Sequence, residues 1–246
     1  MRQAAAVVTG AGGGLGRAIA RRLGKEGWGV VVNDIDGDAA LAVASAIEQD
    51  GGRALAVAAD ATDAVAVLEM VAAARQRLGP VLVTVANATG PQGTVSVDDL
   101  SWEYVLGHLE FFAKSPLLLL QATLPDMRAA GWGRVVHIGS DMFDGGAPGW
   151  SAYMAAKGAL VGLTRGWAME LGRDGITVNL VAPGWIPVER HGVIPADIEQ
   201  ERLARQCVPR WGKPDDIADA VAYLVTDGAG FISGQRLVVN GGIQFG

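Results

Sequence analysis

Tyr153 and Lys157, four positions apart, are the pair of residues with the clearest chemical potential in the sequence. Positions i and i+4 share one face of a helix, so both side chains can point into the same cleft. A phenol has an unperturbed pKa near 10, which is too high for efficient acid–base work at neutral pH. An ammonium about 4 Å away lowers that pKa by up to roughly three units at an effective dielectric constant near 20. On spacing alone, a structural helix pair is the default interpretation.

A glycine-rich stretch, TGAGGGLG from Thr9 to Gly16, follows a short apolar run and precedes a helical pattern. Glycines at such a strand-to-helix turn let backbone N–H groups approach a pyrophosphate, which then lies at the positive end of the helix. A tight turn that binds no ligand is the alternative. The position of the stretch between strand and helix favours the phosphate site.

Two acidic residues end the next two predicted strands. The number of residues between Gly16 and Asp34 is close to the sequence spacing that places an acid against the adenosine ribose of a dinucleotide. A carboxylate there accepts hydrogen bonds from both ribose hydroxyls and repels a 2′-phosphate, which favours NAD over NADP. A solvated carboxylate is the alternative for Asp34. Asp60 can accept a hydrogen bond from the adenine amino group, although an acid at a strand end is more often an N-cap for the next helix.

Composition argues against several classes of function. The 246 residues carry a net charge of −6 without a basic cluster, so nucleic acid and anionic membranes are not expected partners. Cys207 is the only cysteine, and His108, His137 and His191 lie on different predicted elements without acids at ligand spacing, so no metal site is expected. No apolar run is long enough to span a bilayer, and the first residues lead directly into a strand. We therefore expect a cytoplasmic protein.

Short, β-branched apolar runs alternate along the chain with longer helical segments rich in Ala, Leu and Arg. Strands that are apolar throughout and separated by helices predict a parallel sheet covered on both faces, hence an α/β fold. Residues 101–125 are expected to form one helix, and residues 151–175 another. The segment 185–208 has the weakest periodicity, and we interpret it as a lid or substrate loop within a single domain of residues 1–246.

In order and spacing, these features resemble the short-chain dehydrogenase/reductase family over essentially the whole chain. The glycine pattern T-G-x-x-x-G-x-G is met by Thr9, Gly10, Gly14 and Gly16, and the acidic element D-A-T by Asp60, Ala61 and Thr62. The Y-x-x-x-K pattern is met by Tyr153 and Lys157, with the family serine at Ser140, and the later P-G by Pro183 and Gly184. The closing GQRLVVNGG is also similar to the family pattern.

The resemblance implies a Rossmann-type doubly wound domain with a mostly parallel sheet of about seven strands, and a homo-oligomer, either a tetramer or a dimer. It implies that Tyr153 is the acid/base, that Ser140 holds the substrate oxygen, and that Lys157 tunes the tyrosine and contacts the nicotinamide ribose. The expected cofactor residues are Thr9, Gly10, Gly14, Leu15, Gly16, Asp34, Asp60, Ala61, Asn87, Ala88, Tyr153, Lys157, Pro183, Gly184 and Ile186.

Three departures from the family pattern bear on the site. The family N-N-A-G reads ANAT here, from Ala86 to Thr89, and we expect the loop still to form because Gly90 follows. The family threonine after P-G is replaced by Val188, although the backbone of Ile186 can still bind the nicotinamide carboxamide. Losing that one neutral hydrogen bond costs about 1 kcal/mol.

The third departure is in the helix over 101–125, which lacks the asparagine that holds a water linking the family lysine to solvent. Anchoring the pattern on Trp102 places Leu109 at that position, and anchoring it on Gln121 places Phe112 there. His108, Glu110 or a backbone carbonyl can hold the water instead. The alternative for each of these side chains is simple packing or exposure to solvent.

The sequence therefore predicts an NAD(H)-dependent oxidoreductase that interconverts a secondary alcohol and its ketone. A reductase of 3-oxoacyl thioesters is the alternative enzyme, although Asp34 opposes the NADPH that this role usually requires. A family member that binds NAD for regulation, without catalysis, is the alternative outside enzymes. Trp150, Trp185 and Phe143 are expected to wall the substrate pocket, and Arg190 or His191 can serve a polar substrate unless they belong to a solvated loop.

Overall fold

In the described part of the chain, seven strands form one parallel sheet in the order β3-β2-β1-β4-β5-β6-β7. The computed structural model describes residues 4–90 and 92–245, and residues 1–3, 91 and 246 lie outside that description. The strands are β1 (Ala5–Thr9), β2 (Gly29–Asp34), β3 (Arg53–Ala58), β4 (Val81–Ala86), β5 (Gly133–Ile138), β6 (Ile176–Pro183) and β7 (Arg236–Val239). The predicted Rossmann-type, doubly wound α/β fold is confirmed.

Helices cover both faces of the sheet. They are α1 (Gly14–Lys25), α2 (Gly37–Gln49), α3 (Ala64–Arg77), α4 (Trp102–Leu109), α5 (Ser115–Ala130), α6 (Met142–Gly145), α7 (Ser151–Leu171), α8 (Ala196–Arg205) and α9 (Pro214–Leu224). A π-helical turn, Glu110–Lys114, joins α4 to α5. No described helix combines the length and the apolar character that crossing a bilayer requires.

Alternate residues of the central strands pack on opposite faces, which explains why the strands are apolar throughout. Ala6 and Val8 of β1 belong to a core formed with α1, α2 and α9. Ala5 and Val7 of the same strand belong to a core formed with α3 and α5. Because β1 is buried on both faces, no polar alternation is possible along it. The chain order reverses between β1 and β4, and this switch creates a crevice at the carboxyl ends of the strands.

Two predicted helices differ from the structure. The helix expected over 101–125 is interrupted by the π-helical turn, and the helix expected over 151–175 ends at Leu171, where a 3-10 turn leads to Gly175. Gly175 has a φ of +74° and stops the helix, as a left-handed residue does. The segment 185–208 contains the helix α8, which its weak periodicity did not predict.

Candidate active site

The glycine turn after β1 is so tightly packed that two of its positions require glycine. Gly10 has a φ of +62°, and a Cβ on Gly16 would lie 2.1 Å from the Gly10 carbonyl oxygen. Helix α1 begins at Gly14, and its N-cap, Gly13, has no side chain to occupy the first amides. Leu15 is partly buried and packs its side chain against the core. These residues fit a pyrophosphate at the α1 N-terminus.

Thr9 and Asn87 connect this turn to the loop after β4. The Thr9 hydroxyl oxygen lies 3.0 Å from the backbone N–H donors of both Asn87 and Ala88. The Asn87 amide donates to the carbonyl oxygens of Thr9 and Gly10, at 2.9 Å each. The loop therefore forms despite its departure from the family pattern. Gly90 is required there, because a Cβ on it would lie 2.3 Å from the Phe111 ring.

Asp34 is fixed at the end of β2 by backbone donors. Its Oδ2 accepts from the Gly12 N–H at 2.8 Å, and its Oδ1 accepts from the Asp36 N–H at 3.1 Å. The carboxylate thus lies against the glycine turn, where an adenosine ribose meets an acid in folds of this kind.

Asp60 does not cap the helix that follows it. Asp63 caps α3, because its side chain accepts from the N–H groups of Val65 and Ala66. The exposed Asp60 carboxylate instead accepts from the backbone N–H and the hydroxyl of Thr62, at 2.8 Å each. The N-cap alternative is therefore wrong for Asp60. Ala61 beside it is buried.

Ser140, Tyr153 and Lys157 come together at the carboxyl end of β5. Ser140 follows the strand, and its hydroxyl oxygen accepts from the Met142 N–H at 3.1 Å. Tyr153 and Lys157 lie on the buried face of α7, and the Ser140 hydroxyl is close enough to Tyr153 to act on the pKa of its phenol. The Lys157 ammonium donates to the Ile138 carbonyl oxygen at 2.7 Å.

The electrostatics of Tyr153 differ from the expectation. Burial raises the pKa of Tyr153 above its ordinary value, while the hydrogen bond with Ser140 and the charge of Arg190 lower it by less. Burial also lowers the pKa of Lys157 to about 7, with a further lowering from Arg190. In this geometry desolvation of the phenol outweighs the positive charge of Arg190, and the lowering of the Tyr153 pKa by Lys157 stays a prediction.

Phe112 occupies the place where the family asparagine was sought. Its ring centroid lies 3.9 Å from the Lys157 ammonium and 5.4 Å from the Tyr153 ring. His108 is buried with Nδ1 2.9 Å from the Tyr104 carbonyl oxygen, and Glu110 is exposed and pairs with Lys114. Among the described residues, neither His108 nor Glu110 forms a hydrogen bond with Lys157, whose ammonium donates directly to the Ile138 carbonyl of β5.

The chain after β6 closes the crevice from the other side. Pro183 accepts from the Asp141 N–H at 3.0 Å, the Gly184 N–H donates to Val239 at 3.0 Å, and the Ile186 side chain is buried. Val188 continues across the turn, with Cγ1 3.5 Å from the position of a Cβ on Gly14.

Glu189 places a carboxylate at the N-terminus of α1. It forms an ion pair with Arg17. Its own backbone N–H, Arg17 and the Gly14 N–H hold the pKa of Glu189 below its ordinary value. An acid of the segment 185–208 therefore lies against the first turn of α1, where a pyrophosphate fits. No sequence signal marks Glu189, because its partners are distant along the chain.

Aromatic residues border the site unevenly. The Trp150 ring lies 5.5 Å from the Tyr153 ring at 79°, so it lines the candidate site beside Tyr153. Trp185 contacts Trp211 and His191 instead, and Phe143 is partly exposed against Gly158.

Another acid that sequence reasoning missed, Asp141, directly follows Ser140. Burial raises the pKa of Asp141, and its charge raises the pKa of Tyr153.

Known proteins match the chain over nearly its whole length. A protein-family profile described as Enoyl-(Acyl carrier protein) reductase matches residues 10–244. The (2S)-[(R)-hydroxy(phenyl)methyl]succinyl-CoA dehydrogenase subunit BbsD of Thauera aromatica is 37% identical over 240 residues, which cover 96% of this chain and 95% of that protein. The 3-oxoacyl-[acyl-carrier-protein] reductase FabG of Staphylococcus epidermidis is 34% identical, over 97% of this chain and 98% of the relative.

A solved structure extends the likeness to three dimensions. It is a 7 alpha-hydroxysteroid dehydrogenase complexed with NADH and 7-oxo glycochenodeoxycholic acid, and it superposes with a TM-score of 0.92 at 35% identity. The match covers 97% of this chain and 93% of that one. The chain therefore belongs to the short-chain dehydrogenase/reductase family of oxidoreductases, which use a nicotinamide cofactor.

Proposed function

We propose that this protein is an NAD(H)-dependent oxidoreductase that interconverts a secondary alcohol and its ketone. The observation that carries the proposal is that Tyr153 lies beside Ser140, with the ammonium of the buried Lys157 at 5.6 Å from its ring centroid. These three residues share the carboxyl edge of the sheet with a glycine turn that fits a pyrophosphate.

The nicotinamide, when bound, accepts a hydride from the alcohol carbon or supplies one to the ketone carbon. Tyr153 handles the proton on the substrate oxygen, taking it during oxidation and giving it during reduction. The Ser140 hydroxyl holds the same oxygen. Because burial raises the pKa of Tyr153, the residue is a phenol at neutral pH, ready to act as the acid in ketone reduction. Alcohol oxidation needs the phenolate and is expected to accelerate as the pH rises.

Asp34 supports NAD over NADP. Its carboxylate is fixed beside the glycine turn, and Ile35, Asp36, Gly37 and Asp38 after it offer no cation to a 2′-phosphate. We expect NADH to raise the melting temperature markedly and NADPH to do so much less. Asp34→Ala should improve tolerance of NADPH. Equal thermal shifts with both cofactors in the parental protein would contradict this assignment.

The catalytic assignment is tested with Tyr153→Phe. The variant should fold and bind NADH while losing about a thousandfold in turnover, within the range for a missing general acid–base. Tyr223→Phe is a matched control, since Tyr223 is exposed on α9. The substrate comes from a screen of secondary alcohols, sugars and hydroxysteroids with NAD, read as NADH absorbance. Near-parental turnover by Tyr153→Phe would exclude Tyr153 as the acid/base.

A reductase of 3-oxoacyl thioesters is the second candidate. It is favoured by the similarity to the Staphylococcus epidermidis reductase and by the description of the matching family. Asp34 opposes it where NADPH is the reductant. Acetoacetyl-CoA reduction with NADPH faster than with NADH would favour this candidate. NAD binding without turnover of any alcohol, ketone or thioester would instead favour a regulatory, non-catalytic role.

The lid, the assembly and the location belong to the same proposal. We assign residues 185–208 as the substrate lid of a single domain over 1–246. Exposed apolar side chains on α4, α7 and near β7, namely Trp102, Met169 and Phe231, support a homo-oligomer, either a tetramer or a dimer. Light scattering on a sizing column measures the subunit number. The single, exposed Cys207 suits a reducing cytoplasm.

A further inference from the structure

Phe112 lies at an irregular point of its helix, beside Tyr153 and Lys157, here called the catalytic pair. It sits on the π-helical turn Glu110–Lys114, where the Ser115 N–H bonds to the Glu110 carbonyl five residues back. Such turns insert one extra residue into a helix and recur at functional sites. Phe112 is 3% exposed and packs in one cluster with Tyr153, Ala156 and Leu160. The π-helical turn thus directs a large apolar ring toward α7.

One ring contacts both members of the catalytic pair, each in a different geometry. The Lys157 ammonium lies 3.9 Å from the Phe112 ring centroid, well within the range of a cation–π contact. The Tyr153 ring meets Phe112 edge to face, at 5.4 Å and 86°. Aromatic pairs favour this arrangement. The position of Phe112 therefore constrains both side chains at once.

Lys157 has few other means of stabilising its charge. Lys157 is 6% exposed, and within the described part of the chain its ammonium donates one hydrogen bond, to the Ile138 carbonyl. No carboxylate of the described residues forms an ion pair with it. A buried ammonium without an acid partner is costly, and an aromatic face is worth more to a cation that has lost its water.

We propose that Phe112 is a positioning residue, whose ring face holds the Lys157 ammonium beside Tyr153 and denies it a polar partner from α4 and α5. The Phe112 ring offers no hydrogen bond. Protons therefore reach Tyr153 and Lys157 from the open side of the substrate site and not along the helix that carries Phe112. The contact itself is independent of any substrate. Its consequence for turnover rests on the proposed function.

Other charged and titratable groups face this pair from the neighbouring elements. From β5, His137 is fully buried, and Lys157 contributes to the lowering of its pKa. From the segment 185–208, the charge of Arg190 lowers the pKa of both Lys157 and Tyr153. After β5, the charge of Asp141 raises the pKa of Tyr153. On the other side, buried His108 of α4 bonds to the Tyr104 carbonyl, and exposed Glu110 pairs with Lys114.

The composition of the chain allows a direct test on Lys157. The four lysines are Lys25, Lys114, Lys157 and Lys213, and only Lys157 is buried. With carbon-labelled lysine, the ε-methylene signal of Lys157 should be shifted upfield by the ring, and Lys157→Arg should remove that signal. Phe112→Leu should abolish the upfield shift. It should also lower the pKa of Lys157, because the charged form loses the ring face.

Phe112→Asn should have the opposite effect on the titration, because a polar side chain stabilises the charged form and raises the pKa of Lys157. The pH profile of kcat should move in the same directions. In Phe112→Leu, kcat should fall about tenfold, as for a misplaced catalytic group, with a smaller rise in KM for NAD because Lys157 is also expected to contact the nicotinamide ribose. Phe111→Leu is the matched control on the same turn, since its ring packs on Gly90, and it should leave the Lys157 signal and the pH profile unmoved.

The outcomes separate the two proposals. A Lys157 signal that is unshifted in the parental protein, or unchanged in folded Phe112→Leu and Phe112→Asn, would overturn the positioning role. A loss of melting temperature without any change in the Lys157 titration would overturn it as well, since it indicates packing alone. A shifted Lys157 signal that responds to both variants supports the role even where no substrate is turned over, and that combination counts only against the proposed function.

Discussion

The two halves of the sheet's carboxyl edge are built on different physical principles. Around β1, β2 and β4, contacts are between the backbone and the short side chains of Thr9, Asp34 and Asn87, and close approach sets the geometry. Around β5, β6 and α7, the buried groups are titratable: His137, Tyr153 and Lys157. The first half tolerates little added volume, and the second half tolerates little change in charge. A change of size should therefore damage the cofactor side, and a change of pH should damage the catalytic side.

The largest effect is expected from Gly16→Ala. The new Cβ would lie 2.1 Å from the Gly10 carbonyl oxygen and 2.6 Å from the Asn87 amide, so the turn must open. We expect a loss of at least about 3 kcal/mol of unfolding free energy and of detectable NADH binding. Chemical unfolding and calorimetric titration measure the two effects.

Gly13→Ala is the internal control for this substitution. A Cβ at Gly13 meets no atom within 4 Å, and its φ of −153° suits any residue. Because Ala is a poorer N-cap than Gly, Gly13→Ala should lose about 1 kcal/mol of unfolding free energy, clearly less than Gly16→Ala. If both variants lose stability equally, space is not what limits the cofactor half.

Acid should act mainly on the catalytic half through His137. Burial lowers the pKa of His137 from 6.5 to about 3, with Lys157 as the second cause. The unfolded chain binds a proton at a pH where the folded protein does not, so stability is full above pH 6.5 and declines as the pH falls toward 3. The decline is at most about 5 kcal/mol.

His137→Leu should flatten this pH dependence of the unfolding free energy, measured by urea denaturation between pH 7 and pH 4. His191→Leu, at a partly exposed histidine of the lid, is the control and should retain most of the slope. An unchanged slope in His137→Leu would show that the acid sensitivity lies outside the catalytic half.

Thr9→Val tests the hydrogen bonds that hold the cofactor half together. It removes the acceptor of two N–H groups, those of Asn87 and Ala88, while keeping the shape of the side chain. Unsatisfied buried donors should cost about 2 kcal/mol of unfolding free energy. Thr9→Ser keeps the hydroxyl and should cost clearly less. Equal losses would assign the role of Thr9 to packing of its methyl group.

The smallest effect is expected where the lid meets the glycine turn. Glu189→Gln removes a negative charge from the α1 N-terminus and frees Arg17, so NADH should bind about threefold more tightly. Calorimetric titration at low salt measures it. Glu201→Gln is the control, because Glu201 pairs with Arg205 on the outer lid helix. Weaker binding in Glu189→Gln would mean that Glu189 orders the lid instead of competing with the cofactor.

Local pattern was enough to predict the glycine turn, the strands and the Tyr153–Lys157 pair. Each depends on neighbours close in sequence: Gly10 and Gly16 flank one turn, and Tyr153 and Lys157 share one helix face. The burial of β1 on both faces is likewise legible as an unbroken apolar run. The order of the apolar runs and the glycine turn therefore predicted the fold class and the cofactor edge, whereas the candidate catalytic residues also needed the family resemblance.

Tertiary structure alone decided the electrostatics of the site. Desolvation depends on every element that packs around a group, so the raised pKa of Tyr153 and the lowered pKa of Lys157 could not be derived from their spacing. The Phe112 contact depends on a π-helical turn, and the contact of Glu189 with Arg17 joins residues far apart along the chain. The sequence specifies which titratable groups are present. Packing decides how much solvent each group keeps, and solvation determines its pKa and therefore its charge.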